Sequence, residues 1–137
     1  MGHLDTLTIT KRFIAAARPR IKTDRTEYRR RKLIAHVEEQ IELANMALND
    51  EPLELARKRG HGVVKVRPRL WWKADPDGTV VTQIRFNKVP LNLARRGTTI
   101  EVPSLRRLPA AYRTVIKAIK AGELDQAIAN AVRESRR

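Results

Sequence analysis

The segment from Val63 to Asn87 constrains the fold more than any other part of the chain, because apolar and polar residues alternate along it on both sides of a turn. Alternation with a period of two is typical of a β-strand that has one buried face. The turn sequence "ADPDG" separates a first strand that ends at Lys73 from a second strand that begins at Thr79. These patterns predict a long antiparallel hairpin, with Pro68 placing its first strand at a sheet edge or at a bulge.

The two faces of this hairpin differ in chemistry. The following residues are predicted to point into the core: Val64, Val66, Leu70, Trp72, Val80, Thr82, Ile84 and Phe86. The opposite face of the first strand carries a basic set with one aromatic member: Lys65, Arg67, Arg69, Trp71 and Lys73. Adjacent residues of a strand cannot share a face, so Trp72 is expected in the core and Trp71 among the cations. A bulge at Pro68 would exchange the two tryptophans.

A long amphipathic helix is predicted before the sheet, over residues 24–48. Asp24 and Glu27 have the spacing of a capping box at its start. Its apolar seam consists of Leu33, Ile34, Val37, Ile41, Leu43, Ala44 and Leu48. Such a seam fits packing on a sheet or across the axis of a homodimer. Residues 1–23, which contain Pro19 and many basic side chains, are predicted to form a basic arm.

The later patterns complete a single domain over residues 24–137, since a chain of 137 residues is expected to build one core. Short alternating segments over residues 53–102 predict an antiparallel sheet of four to five strands. Two helices are expected over residues 105–135, packed on one face of that sheet. The predicted fold class is therefore α+β.

Composition argues against several classes of protein. The chain contains no cysteine, which excludes disulfides and thiolate catalysis, and its three histidines do not have metal-ligand spacing. It carries no phosphate-binding glycine loop and no nucleophile motif. It also has no apolar run of about 20 residues, the length of a membrane span, and no signal-peptide pattern. We therefore expect a cytoplasmic, non-catalytic protein without metal or cofactor and without a membrane partner.

Net charge is the strongest global signal. Lys and Arg number 29 against 15 Asp and Glu, which gives a net charge of +14. A domain this basic is typical of proteins that bind a polyanion, because neutralising phosphates releases condensed counterions. Arg29, Arg30 and Lys32 gather in the first half of the predicted helix, where the helix dipole disfavours cations. Bound phosphates or compensating tertiary neighbours would each account for that placement.

The basic strand face predicts a binding site for single-stranded nucleic acid. Side chains on one strand face repeat at roughly 7 Å, which is comparable with the phosphate spacing of an extended single strand. Lys65, Arg67, Arg69, Lys73 and Arg85 are predicted to hold phosphates, with further contributions from Arg57, Lys58 and Arg59. Trp71 is predicted to stack on a base. Alternatively, Trp71 covers an apolar patch against the arm or a second subunit, and the cations only protect an edge strand.

Two resemblances add to these patterns. The segments "RRRKLIAHVEEQIELA", "RLWWKADPDGTVVTQIRFN" and "IKAIKAGELDQAI" resemble a family of small uncharacterised proteins of proteobacteria and their phages. That resemblance implies a bacterial or phage origin but no activity and no site residues. The order of strands through "GTTIEV" followed by the helix with "YRTVIKAIKAG" is similar to transcriptional-coactivator-type single-stranded DNA-binding domains, which dimerise through such helices.

The function expected from the sequence is thus non-catalytic binding of single-stranded DNA or RNA through a basic sheet face and arm. The alternative is a phage-encoded protein that binds and modulates a host protein or nucleoprotein complex, such as transcription or defence machinery. A structural or ribosome-associated protein is a third interpretation. Steep weakening of binding with rising salt would favour the first over a hydrophobic protein interface.

Overall fold

The computed structural model describes the backbone of residues 2–93 and 96–136 and the side chains of residues 25–93 and 96–136. Its elements are, in chain order, α1 (Gly2–Leu48), β1 (Leu55–Arg59), β2 (Gly62–Val66), β3 (Trp72–Ala74), β4 (Val80–Gln83), β5 (Arg85–Phe86), β6 (Val89–Pro90), β7 (Thr99–Val102), a 3-10 helix (Leu105–Arg107), α2 (Leu108–Lys120) and α3 (Asp125–Ser135). The α+β class predicted from the sequence is confirmed.

The strands form three small antiparallel sheets rather than the single sheet of four to five strands that the sequence predicts. β1 pairs with β2, β5 pairs with β6, and the largest sheet has the order β3–β4–β7. The turn predicted between β3 and β4 is present: Gly78 N–H donates to the carbonyl of Asp75 at 2.9 Å, and Thr79 N–H donates to the Asp77 carboxylate at 3.0 Å. The antiparallel pairing predicted across this turn is therefore present between β3 and β4, but it is shorter than expected, and β1, β2, β5 and β6 pair in separate sheets.

The largest departure from the prediction lies at Pro68. A continuous strand was expected from Val63 to Lys73, but β2 ends at Val66 and β3 begins only at Trp72. Proline has no N–H to give to a ladder and restricts the preceding residue, so the backbone leaves the sheet there. The side chain of Gln40 on α1 supplies hydrogen bonds to the backbone there, at Arg69 and Trp71.

This break changes which side chains are buried. Val63 and Val64 lie in the β1–β2 hairpin with exposed fractions of 65% and 41%, and Leu70 is 37% exposed. The predicted burial of Val64 and Leu70 is therefore wrong. Val64 lies in a hairpin that has both faces exposed, and Leu70 lies between β2 and β3, where strand alternation does not apply. The predicted burial of the second strand is confirmed, with four residues at most 3% exposed: Val80, Thr82, Ile84 and Phe86.

The first helix begins at Gly2 and not near Asp24, where a capping box was predicted. Asp and Glu also occur inside helices, so a pair with capping-box spacing does not by itself mark a helix start. The helix continues through Pro19, although a proline inside a helix lacks one backbone donor and its ring crowds the carbonyl four residues earlier. The predicted basic arm of residues 1–23 falls on residues whose side chains lie outside the described part, so its role stays a prediction.

A single apolar core joins α1, the strands and the two C-terminal helices. It contains Leu33, Val37, Ala44, Val80, Ile84, Phe86, Leu91, Val102, Leu108, Tyr112, Val115, Ile119, Leu124, Ile128, Ala131 and Val132. Ile34 and Ile41 pack against it from the predicted helix seam, whereas Leu48 at the end of that seam is 37% exposed. The β1–β2 hairpin contributes only Leu55 to the fully buried residues.

Candidate functional site

A basic groove lies between α1 and the segment that links β2 to β3. Its volume is about 580 Å³. Its lining residues are Lys32, His36, Glu39, Gln40, Arg57, Pro68, Arg69, Trp71, Arg85, Asn87 and Lys88. Five of these side chains are cationic and one is anionic, which gives the lining a net charge of +4. We refer to it as the central groove.

The helical wall of the central groove follows from residue spacing. Lys32, His36 and Gln40 recur every four residues along α1 and therefore share one face of the helix. Gln40 is 4% exposed, so this face passes from half-exposed Lys32 and His36 to a buried amide at the base. The groove thus combines a charged rim with a polar floor.

Lys32 is positioned by two contacts from the opposite wall. Its ammonium nitrogen lies 5.2 Å from the centroid of the Phe86 ring and 3.3 Å from Oδ1 of Asn87. Asn87 and Lys88 form the turn of the β5–β6 hairpin with φ angles of 50° and 68°, the left-handed backbone of a two-residue type I′ turn. The turn therefore brings Lys88 and the Asn87 amide to the groove beside the Lys32 charge.

Two arginines of the groove are fixed by hydrogen bonds. Arg85 donates to Oε1 of Gln83 at 2.7 Å and to the carbonyl of Lys88 at 3.2 Å, and neither partner is anionic. Arg57 donates to Oε2 of Glu39 at 2.8 Å. Arg85 therefore offers an uncompensated charge, whereas the charge of Arg57 is partly balanced.

The backbone on both sides of Leu70 is held by Gln40. Nε2 of Gln40 donates to the Arg69 carbonyl, and its Oε1 accepts from the Trp71 N–H, each at 3.0 Å. The amide of a glutamine can donate and accept at once, which matches the two groups that a neighbouring strand would otherwise pair. Gln40 thus holds Arg69 and Trp71 against α1 where the strand is interrupted.

A second set of hydrogen bonds fixes the carbonyl of Trp71 from the core side. It accepts from the Thr82 hydroxyl at 2.9 Å and from the Gln83 N–H at 3.1 Å. Thr82 and Tyr112 hydroxyls are 2.7 Å apart. Because the single hydroxyl proton of Thr82 goes to the carbonyl, Tyr112 is the donor to Thr82. A chain of hydrogen bonds therefore runs from α2 through β4 to Trp71.

The phenol of Tyr112 is fully buried at the end of this chain. Burial raises its pKa from 10.0 to about 12. The phenol therefore stays protonated and remains a donor at neutral pH. Among the described residues, no buried side-chain nitrogen or oxygen lacks a hydrogen-bond partner.

A second, smaller cavity lies on the sheet side of Trp71. Its volume is about 310 Å³, and it shares Arg69, Trp71 and Arg85 with the central groove. Its remaining lining residues are Leu70, Trp72, Lys73, Val81, Thr82, Gln83 and Thr99. We call it the sheet-side cavity. Trp71 therefore borders both cavities, as do Arg69 and Arg85.

The two tryptophans do not divide into one buried and one exposed residue. Trp71 and Trp72 are both half-buried, and both pack against the apolar core. Because Trp71 precedes β3, its direction is set by the bonds to Gln40 and Thr82 and not by strand alternation. The expectation that Trp72 alone belongs to the core is therefore wrong.

The structure brings together part of the predicted site. Five of its members line the central groove: Lys32, Arg57, Arg69, Trp71 and Arg85. Lys73 lines the sheet-side cavity. Lys58, Arg59 and Lys65 are exposed on the β1–β2 hairpin. Arg67 is exposed beyond its end, 3.4 Å from the Glu54 carboxylate, and Arg29 is half-exposed on α1.

Arg30 lies outside both cavities. Its guanidinium makes two hydrogen bonds to the carboxylate of Asp125, at 2.9 and 2.5 Å, and so links α1 to α3. The same hydrogen bonding raises the pKa of Arg30 above its ordinary value. The predicted role of Arg30 in binding is not supported, because a tertiary partner already balances its charge.

Six residues that line the central groove were not predicted from the sequence: His36, Glu39, Gln40, Pro68, Asn87 and Lys88. His36 and Gln40 share the four-residue spacing of Lys32, so the sequence did contain a signal for their common face. The turn at Asn87 and Lys88 was missed because its second residue is not the glycine that most often marks such turns.

Comparisons with known proteins give no further indication of function. Family models, curated proteins and solved structures all yield no match for this chain. Within the described part of the chain, no three histidine, aspartate or glutamate side chains lie close enough together to hold a metal ion. No helix in that part is both long and apolar enough to cross a membrane.

Proposed function

We propose that this protein binds single-stranded nucleic acid, DNA or RNA, in the central groove and the sheet-side cavity. The observation that carries the proposal is the position of Trp71, which lines both cavities together with Arg69 and Arg85. An aromatic ring among cations is the combination that holds a base by stacking and its phosphates by charge.

The distribution of charge supports this ligand. Lys32 and Arg85 are held by neutral partners, so their charges remain available to phosphates. Arg69 and Lys88 add exposed cations at the edges of the groove. Polar side chains between them, those of His36 and Asn87, supply hydrogen bonds to sugars or base edges.

The fixed backbone of residues 69–71 supports binding without large rearrangement. Gln40 and Thr82 hold the peptide groups around Trp71 from opposite sides. A contact group that is already ordered loses little conformational entropy when a ligand arrives, so more of its interaction energy contributes to affinity.

Fluorescence anisotropy with labelled single-stranded oligonucleotides tests the proposal. Trp71→Ala should weaken binding by about 5- to 140-fold, since stacking contributes about 1 to 3 kcal/mol per base and 1.4 kcal/mol is tenfold. Trp71→Phe should retain part of the affinity because a ring remains. Circular dichroism must show that each variant keeps its fold.

The charge contribution is tested with a matched pair of double variants. Arg69→Gln with Lys88→Gln removes two cations of the central groove, and Lys117→Gln with Lys120→Gln removes two exposed cations of α2. On single strands the first pair should reduce the slope of log affinity against log salt by about 1.4, since each phosphate contributes about 0.7. The α2 pair should leave it unchanged. Equal slopes in the two double variants, or no binding by wild type at low salt, would refute the proposed function and favour a protein partner.

A further inference from the structure

We infer that the β1–β2 hairpin is a second nucleic-acid contact that grips a duplex, so that the preferred ligand is a junction between single strand and duplex. This inference rests on the proposed function, because the single strand of the junction would occupy the central groove. It assigns a role to a segment that contributes little to the core.

The hairpin projects from the body of the protein. It is anchored at its base by buried Leu55, which pairs with Val66, whereas all residues from Ala56 to Lys65 are exposed. Ten exposed residues in a regular, fully paired ribbon are not needed to close the core. A two-residue turn at Gly60 and His61 keeps the ribbon narrow, with Gly60 at a φ of +60°.

The charge of the hairpin identifies its partner. Residues 55–67 contain five cations and no acidic residue: Arg57, Lys58, Arg59, Lys65 and Arg67. Two of these charges are balanced by ion pairs: Arg67 pairs with Glu54, and Arg57 pairs with Glu39. The cations toward the tip have no such neighbour in the described structure, which is complementary to a polyanion and not to a neutral protein surface.

Register shows that the ribbon has two usable faces. Cross-strand partners share a face, so Lys58 and Val63 lie together with Lys65, while Arg57 lies with Val64 on the other face. Each face thus combines cations with an exposed valine. Phosphates would be held by the cations, and the valines would contact apolar parts of base edges such as the thymine methyl.

The dimensions of the ribbon fit a duplex. The major groove of B-DNA is about 12 Å wide and admits a two-stranded β-ribbon. A single strand has no such groove, and it would leave one face of the ribbon unused. A protective function for the edge strands would account for lysines, but it would not account for Val63 at 65% exposure beside them.

Arg57 connects the hairpin to the central groove. It lies in β1, lines the groove and is bonded to Glu39 of α1. The basic surface is therefore continuous from the ribbon to Trp71. A duplex gripped by the hairpin would direct its single-stranded extension toward the groove, which is the geometry of a junction.

Binding to three labelled ligands tests this inference: a single strand, a blunt duplex, and a junction made of the two. Wild type should bind the junction more tightly than either part alone. Lys58→Gln with Lys65→Gln should weaken binding to duplex and junction and reduce the salt slope on duplex by about 1.8, since each phosphate contributes about 0.9. Its affinity for single strands should stay that of wild type.

The groove and α2 double variants serve as controls on the same ligands, because each removes two charges as the hairpin variant does. The variant with Arg69→Gln and Lys88→Gln should bind the single strand and the junction more weakly than wild type does. The variant with Lys117→Gln and Lys120→Gln should bind all three ligands as wild type does. If the hairpin variant binds the junction as wild type does while the groove variant is weakened on single strands, the inference is overturned and the proposed function stands. If the groove variant binds single strands as the α2 control does, the proposed function itself fails.

Discussion

The side-chain oxygen of Gln40 accepts a hydrogen bond of 3.0 Å from the backbone N–H of Trp71, although the two residues belong to different elements of the fold. The same side chain donates to the carbonyl of Arg69, so it pairs both peptide groups that flank Leu70. A helix residue thereby replaces the strand partner that Pro68 prevents. The backbone position of Trp71 in the proposed binding site therefore depends on the side chain of a helix residue.

Replacing Gln40 should lower stability. Gln40→Leu leaves both the Trp71 N–H and the Arg69 carbonyl without their partner, and each buried group left unpaired costs about 1 to 3 kcal/mol. Gln40→Glu keeps an acceptor for the N–H but places a buried negative charge beside the Arg69 carbonyl. Urea unfolding should show both variants to be less stable than wild type. Equal stability of wild type and Gln40→Leu would show that the amide does not hold this segment.

The hydroxyls of Thr82 and Tyr112 should be energetically coupled. Tyr112→Phe removes the donor and Thr82→Val removes the acceptor, which leaves the buried phenol without its partner at a cost of about 1 to 3 kcal/mol. The Trp71 carbonyl keeps the Gln83 N–H in the valine variant. The double variant replaces both groups by apolar ones, so it should lose less stability than the sum of the two single variants. Additive losses in urea unfolding would contradict the chain of hydrogen bonds.

Alkaline pH should destabilise the fold through Tyr112. Its pKa is raised to about 12 in the folded protein, so between about pH 10 and 12 the unfolded chain releases the phenol proton more readily. The stability that the neutral phenol provides is complete below pH 10 and is lost as the pH rises toward 12, by at most about 1.4 kcal/mol per pH unit.

Tyr112→Phe is the control for this pH dependence, because lysines also lose their charge in the same range. Its stability should fall less steeply than that of wild type when thermal unfolding is followed from pH 9 to 12. Parallel pH profiles would show that Tyr112 does not carry the effect.

Sequence patterns predicted buried side chains correctly wherever the spacing of apolar residues within one element decides which side chains face the core. β4 and the residues that follow it present every second side chain to the core, and the predicted positions of Val80 and Ile84 are confirmed. The two C-terminal helices predicted from the sequence likewise turn one face to the core, where Tyr112 and Ile128 are buried. In each case one face of one element meets the core, so the spacing of apolar residues along that element indicates which side chains are buried.

The candidate site was predicted only in part, since it depends on contacts between distant elements. Arg69 and Trp71 belong to the site because Gln40, about 30 residues earlier, holds them, and nothing in the local pattern of "RPRLWWK" indicates that partner. The position of Arg30 is decided in the same way by Asp125, 95 residues later. Periodicity indicates the face of an element, but it does not show which distant side chain meets that face.

The ion pair between Arg30 and Asp125 predicts that Arg30 contributes to tertiary structure and not to binding. Arg30→Gln should leave the salt slope for single strands unchanged, whereas Arg69→Gln should reduce it by about 0.7. Amide hydrogen exchange in α3 should accelerate in Arg30→Gln and in Asp125→Asn, because each leaves one charge of the pair without its partner. The double variant, which removes both charges, should exchange more slowly in α3 than either single variant. A reduced salt slope in Arg30→Gln together with unchanged amide exchange in α3 would indicate that Arg30 contributes to nucleic-acid binding and not to tertiary structure.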